Sequence, residues 1–259
     1  MKKLKMMAVS YLNTKPFLFG LKAKGLEDVF DIDIDYPSKC AERLKNEEVD
    51  LALVPVAVLP ELGTYHLVSD YCIGCDGEVK TVCIFSHKPL EQVKQIYLDF
   101  HSKTSLALAK ILLKEYWQMD IPMIDLNLPI GQEYGEDTAI VAIGDKTIAL
   151  SEYYRYTYDL GAYWKQLTGL PFVFAVWVSK KPIDPLIKLN LEEAFAFGLK
   201  NIESVIKSLP AQNENFDLKK YYEKNISYDL NALKLKALAL FLSKIRSNES
   251  TISDKILIA

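Results

Sequence analysis

Three short polar stretches hold side chains that could act on a small anion. The first, Ser10-Tyr11-Leu12-Asn13-Thr14-Lys15-Pro16, follows the apolar run Met6-Met7-Ala8-Val9 and leads into a helical pattern closed by Gly25. A polar turn between a buried strand and a helix start is where α/β proteins place ligands, because the crevice lies beyond the carboxyl ends of the strands. The amides of a helix start attract anions there. A plain helix cap at Asn13 or Thr14, with Pro16 in the first turn, is the structural alternative. The second stretch, Ser102-Lys103-Thr104-Ser105, follows a strand-like segment at Gln95–Phe100 and opens a helix. One cap needs one hydroxyl, and three hydroxyls beside a lysine suit a carboxylate or phosphate cradle. A cap with a solvent-facing lysine is the alternative. No G-x-x-x-x-G-K pattern is present, which argues against a nucleotide P-loop. The third stretch, Gly144-Asp145, closes the apolar strand Thr138–Ile143, with Asp145 either at a ligand or capping a helix.

Other chemistries find less support. Cys72 and Cys75 have C-x-x-C spacing, but Cys40, Cys83 and the three histidines are scattered. A structural zinc site wants four well-placed ligands, so reduced thiols and no metal are expected. The net charge of -3 offers no attraction for nucleic acid or an anionic membrane surface. No apolar run reaches the length of a membrane span. The basic start Met1-Lys2-Lys3-Leu4-Lys5 leads into a strand rather than a signal-peptide core, so a cytoplasmic location is expected. The oligomeric state is left open.

The elements that must position these stretches follow from periodicity. Asp31–Tyr36 alternates as a strand, a helix opened by Ser38 follows, and Asp50–Val56 is a buried strand. That βαβ unit implies parallel pairing. Strands are expected near Leu67, at Glu78–Ser86, at Pro122–Leu126 and at Pro171–Val178, with Asp76-Gly77 as a tight turn. The tyrosines between Tyr153 and Tyr158 read as half-buried surface, and a helix runs from Tyr158 to Leu167. From Pro185 onward the pattern is helical, with a short helix near Leu218–Tyr222 and a longer one at Leu230–Ile245. The layout fits an α/β protein of two lobes joined by two crossing strands. Lobe one takes residues 1–87 and 178–259, lobe two residues 88–177, and the three polar turns face the cleft between them.

Ser10-Tyr11-Leu12-Asn13-Thr14-Lys15-Pro16 resembles the opening motif of the chorismate dehydratases of the futalosine route to menaquinone. Leu53-Val54-Pro55-Val56, Ser102-Lys103-Thr104-Ser105, Ile143-Gly144-Asp145 and Thr168–Trp177 are similar to further family segments, in order. The sister 1,4-dihydroxy-6-naphthoate synthases open on a serine-proline-cysteine-proline-asparagine-aspartate motif that is absent here. The resemblance implies a periplasmic-binding-protein-like (type II) fold. It also implies the loss of water from chorismate to give 3-[(1-carboxyvinyl)oxy]benzoate, with no cofactor and no metal. The family's functional asparagine falls on Asn13 and its functional serine on Thr81, which keeps the hydroxyl. Two usual arginines fall on Lys80 and Lys103, so bidentate carboxylate gripping gives way to point charge.

Chorismate is a dicarboxylate, and the three arginines, Arg43, Arg155 and Arg246, lie outside the polar turns. On the resemblance, Asn13 and Thr81 are therefore the expected catalytic residues. Ser10, Tyr11, Lys80, Ser102, Thr104, Ser105, Gly144 and Asp145 are the expected substrate contacts. A non-catalytic cytoplasmic protein that binds small acids, and the sister synthase, are the alternative functions.

Overall fold

An apolar run without a polar face belongs inside a sheet covered on both sides. Met6, Met7, Ala8 and Val9 are buried in this way in the computed structural model, which describes residues 3–98, 103–125, 135–210 and 215–256. They form most of β1 (Leu4–Val9), followed by α1 (Lys15–Ala23), β2 (Phe30–Asp35), α2 (Pro37–Lys45), β3 (Leu51–Pro55) and β4 (His66–Cys75). The chain then crosses to β5 (Val82–Ser86), β6 (Gln95–Leu98), α3 (Lys103–Glu115), β7 (Met123–Asp125), β8 (Thr138–Ile143), α4 (Lys146–Tyr153), β9 (Tyr156–Asp159) and α5 (Leu160–Thr168). It returns through β10 (Phe172–Ser179), α6 (Pro185–Lys200), α7 (Ile202–Ser208), α8 (Leu218–Lys220), a π-turn at Tyr221–Asn225, β11 (Ser227–Asp229) and α9 (Ala232–Ile256).

Two sheets result. The first runs β11-β4-β10-β3-β1-β2 and the second β7-β6-β8-β5-β9. β1 pairs in parallel with β2 and β3, as the βαβ pattern implies, while β10 runs antiparallel to β3 and β4. In the second sheet β6 is parallel to β7 and β8, and β5 is antiparallel to β8 and β9.

Sheet membership moves the lobe boundaries from those read in the sequence. Residues 82–86, expected in lobe one, pair with β8 and β9 in the second sheet. Residues 172–177, expected in lobe two, pair with β3 and β4 in the first. The crossings thus fall near residues 76–81 and 169–171. The strand expected from Glu78 begins only at Val82. Lys80 has φ +68°, and the Val79 and Lys80 amides donate to the Asp159 carboxylate instead of to a neighbouring strand. Ser38 does not open α2; Tyr36 is its N-cap residue. α9 extends to Ile256, beyond the expected end at Ile245. Two expected strand ends, Asp99-Phe100 and Leu126, lie outside the described residues.

α1 carries the first polar turn and is fixed from both sides. Phe17 is fully buried among Phe195, Tyr228 and Trp177, with ring centroids 4.5, 5.3 and 6.0 Å away. Gly20 and Gly198 let α1 and α6 cross in backbone contact: a Cβ on either would lie 1.8 Å from a carbonyl oxygen of the other helix. The tyrosine-rich segment has structural work. Tyr154 stacks on His87 with centroids 4.5 Å apart, and the Tyr158 hydroxyl accepts the Leu90 N–H at 2.8 Å.

Cys72 and Cys75 are three residues apart on β4, and their surroundings differ. Cys72 lies beside Ser227, Asp229 and Lys234, and Cys75 against Gly161. All four cysteines are buried free thiols, and burial pushes the Cys72 thiol up to about 11 and the Cys40 thiol up to about 12. Among the described residues no group of three or more His, Cys, Asp or Glu side chains could hold a metal. No helix among them is long and apolar enough to cross a membrane.

Candidate active site

β1 ends at Val9, and the next residues turn over the carboxyl edge of the first sheet. Ser10 N–H still donates to Asp35 O at 3.0 Å, which prolongs the β1–β2 pairing by one residue. Leu12–Thr14 then forms a single 3-10 turn before α1. Neither Asn13 nor Thr14 caps a helix through its side chain. The Thr14 hydroxyl donates instead to Asn13 Oδ1 at 3.2 Å. Thr14 thus stands at the N-cap position of α1 with Pro16 in the first turn, as the capping alternative has it, but its side chain makes no cap bond.

The turn is tied down from outside its own segment. Tyr222 donates to Leu12 O at 3.0 Å, and Tyr228 donates to Asn13 O at 3.0 Å. From the other lobe the Asp145 carboxylate accepts the Leu12 N–H at 3.0 and 3.3 Å. Asp145 is the first residue before α4, yet it makes no cap bond there. Desolvation raises its carboxyl above the ordinary range, and the Leu12 N–H and nearby Lys15 partly offset this.

Between the lobes lies a cavity of about 50 Å³, lined by Tyr11 and Asn13, by Thr81, by Ser105 and Gly144, and by apolar side chains including Leu53, Ile73, Ile143 and Phe174. That is room for a few water molecules. Gly144 has φ +73°, and the Tyr11 ring packs directly on its Cα.

Thr81 is 1% exposed at the crossing into β5. Its hydroxyl lies 3.0 Å from the Tyr221 hydroxyl. Asn13 and Thr81, 68 residues apart in the chain, thus share a cavity wall. Tyr221, Tyr222 and Tyr228 escape a reading by motif. The available signal is a cluster of tyrosines in a segment otherwise rich in charged residues, since a buried phenol needs a polar partner.

The expected contacts divide into three groups. Tyr11, Asn13, Thr81, Ser105 and Gly144 line the cavity, and Ser10 and Asp145 flank it. Thr104 is buried beside it, but its hydroxyl accepts the Ala57 N–H from the first lobe at 3.1 Å. The two lysines lie elsewhere. Lys80, turned by its positive φ, pairs with Glu78 at 2.7 Å and lines a separate depression with Asp159, Asp217 and Lys220. Lys103 pairs across the lobes with Glu61 at 2.6 Å and lines another depression. The four-residue cradle therefore reduces to Ser105 at the cavity, and Ser102 lies outside the described residues. No cationic side chain lines the cavity among the described residues.

Comparison with known proteins bears on the family and the fold. A family described as "Menaquinone biosynthesis" matches residues 4–247. A chorismate dehydratase of Thermus thermophilus is 28% identical over 216 residues, covering 76% of this chain and 78% of that one. Among solved structures, a protein of Archaeoglobus fulgidus superposes with a TM-score of 0.72 at 13% identity, covering 96% of this chain and 98% of the other. The periplasmic aliphatic sulphonate binding protein of Escherichia coli gives 0.61 at 14% identity, covering 97% and 93%. A Candida albicans protein with the generic periplasmic binding protein fold gives 0.60 at 11% identity, covering 95% and 90%. The fold is thus that of the periplasmic binding proteins, as expected.

Proposed function

The chain belongs to the menaquinone-biosynthesis family, and from that premise we propose that it is a chorismate dehydratase, releasing water to leave 3-[(1-carboxyvinyl)oxy]benzoate. The observation that carries the reading is the shared cavity wall of Asn13 and Thr81, the two positions that the resemblance marks as functional.

The elimination removes a proton from the ring carbon bearing the enol ether and expels hydroxide from the neighbouring carbon. Negative charge spreads through the diene toward the ring carboxylate, and aromatisation drives the reaction. An asparagine amide is no base at neutral pH. Asn13 therefore orients substrate and leaving group, and Thr81 holds the departing hydroxyl. The substrate's own side-chain carboxylate takes the proton. A hydrogen-bond donor aimed at developing negative charge is worth about 3 kcal/mol. Fixing the internal base close to its proton contributes about 7 kcal/mol or more in good cases. Both effects grow when the lobes close and exclude water, and the apolar remainder of the lining favours that.

Incubation of the purified protein with chorismate, followed by mass spectrometry for loss of one water, tests the reading. Turnover is expected, and Asn13→Ala should abolish it while leaving the far-ultraviolet spectrum and thermal transition in place. Binding without water loss would point to a non-catalytic acid-binding protein. Normal turnover by Asn13→Ala would refute the role of Asn13.

A further inference from the structure

We propose that Tyr222 and Tyr228 are positioning residues that fix the backbone of Asn13, each donating a hydrogen bond to one of the two peptide groups flanking its Cα, and so hold its side-chain amide against the cavity. The proposal rests on the dehydratase reading and adds two residues to that site. Neither tyrosine lines the cavity, so each acts through Asn13. Both are buried, at 2% and 7% exposed. Tyr222 sits in the π-turn, and single π-turns of this kind recur at functional sites. Tyr228 sits on β11, which pairs with β4 and makes this donor part of the first sheet rather than of a loop.

The need for outside donors is written in the sequence. Leu12–Thr14 is a single 3-10 turn, and a turn of that length is marginal by itself. Its internal bonds include Thr14 N–H to Tyr11 O at 3.1 Å and Lys15 N–H to Leu12 O. Pro16 has no N–H. It cannot make the i→i−4 bond to Leu12 O or the i→i−3 bond to Asn13 O that another residue there would offer. A phenol takes each place: Tyr222 O–H donates to Leu12 O and Tyr228 O–H to Asn13 O, both at 3.0 Å. The direction of each bond is fixed, because a carbonyl oxygen only accepts. Burial raises both phenols above the ordinary range, so each keeps the proton it donates. The two soft torsions of Asn13 lie between the Leu12–Asn13 and Asn13–Thr14 peptide planes. Tyr222 pins the first plane and Tyr228 the second, whose other end is held by the Thr14 N–H bond. With both planes held, the Cα–Cβ bond of Asn13 keeps one direction, toward the wall that it shares with Thr81.

Tyr222→Phe and Tyr228→Phe each remove one donor and keep the ring. Each should fold and lose about 10- to 100-fold in kcat for chorismate, the effect of a misplaced reacting group, with KM within about threefold of wild type. Tyr158→Phe is the control, because it too strips a hydroxyl from a main-chain bond, to the Leu90 N–H in the second lobe. It should lower the thermal transition and keep kcat within about twofold of wild type. 4-Aminophenylalanine at position 228 returns a donor to the far end of the ring and should bring kcat back to within about threefold of wild type. Wild-type kcat in either phenylalanine variant, a loss confined to KM, an equal kcat loss in Tyr158→Phe, or no recovery with 4-aminophenylalanine would overturn the proposal. A phenylalanine variant that does not unfold cooperatively would overturn it too, since that phenol would then support the fold and not Asn13 alone. A wild-type protein inert toward chorismate defeats the dehydratase reading and this proposal together. An active wild type matched by the phenylalanine variants defeats this proposal alone.

Discussion

Gly144→Ala separates two costs that meet where the lobes touch. The residue has φ +73°, and an L-residue in that region costs about 1–2 kcal/mol. The added methyl would also lie 2.6, 2.7 and 2.8 Å from Cε1, Cδ1 and Cζ of Tyr11. Relieving that clash needs nearly an ångström of movement by a ring packed on its own lobe, and overpacking of this kind costs about 1–3 kcal/mol. Gly169→Ala supplies the control, because Gly169 has φ +71° and nothing within 4 Å of the position a Cβ would take. Subtracting the two leaves the contact alone. Gly144→Ala should therefore be less stable than Gly169→Ala by about 1–3 kcal/mol in denaturant unfolding, or about 2–4 °C in Tm for each kcal/mol. It should also lose chorismate turnover, since Tyr11 forms part of the cavity wall. Equal stability and equal turnover in the two variants would refute the argument, by showing that the Tyr11–Gly144 contact is absent when the protein works.

Asp145 gives a pH dependence of defined sign. Its carboxyl is raised in the folded state, so over the window from the unfolded value near 3.8 up to the folded value the native state binds more protons. Stability should fall as pH rises through that window, and Asp145→Asn should flatten this component in urea titrations at stepped pH. Lys103→Ala breaks an ion pair whose members are both largely exposed, so its stability should change by about 1 kcal/mol or less. Its kcat/KM for chorismate should stay within about threefold of wild type; a hundredfold loss would mean that Lys103 leaves Glu61 and reaches the substrate.

The parts of the fold legible in the sequence are those whose signal is local. Thr138–Ile143 begins and ends as read, because a buried strand bounded by Gly144 carries both its period and its stop. The parts that were not legible depend on partners far along the chain. Val79 and Lys80 look like the start of β5, and only the Asp159 carboxylate, some 80 residues away, takes their amides out of the strand. The lobe boundaries shift for a related reason. β5 and β10 are both fully buried and apolar, so neither carries a sign of which sheet it completes.

Giving Lys80 and Lys103 a part in holding a dianion followed from the family positions they occupy, which ignores the carboxylates nearer at hand. Glu78 stands two residues from Lys80 and was visible; Glu61, the partner of Lys103, was visible only after folding. With both lysines engaged elsewhere, the cavity offers an amide, hydroxyls and the Gly144 turn rather than point charges. That is a chemically different solution from an ion-paired pocket. A cation held against each carboxylate would stabilise the bound dianion throughout the reaction and lower KM without raising kcat. Donors placed where hydroxide departs act mainly as its charge develops. If the site works this way, neutral changes at Asn13 and Thr81 should cost kcat, and charge changes at Lys80 or Lys103 should leave it nearly intact.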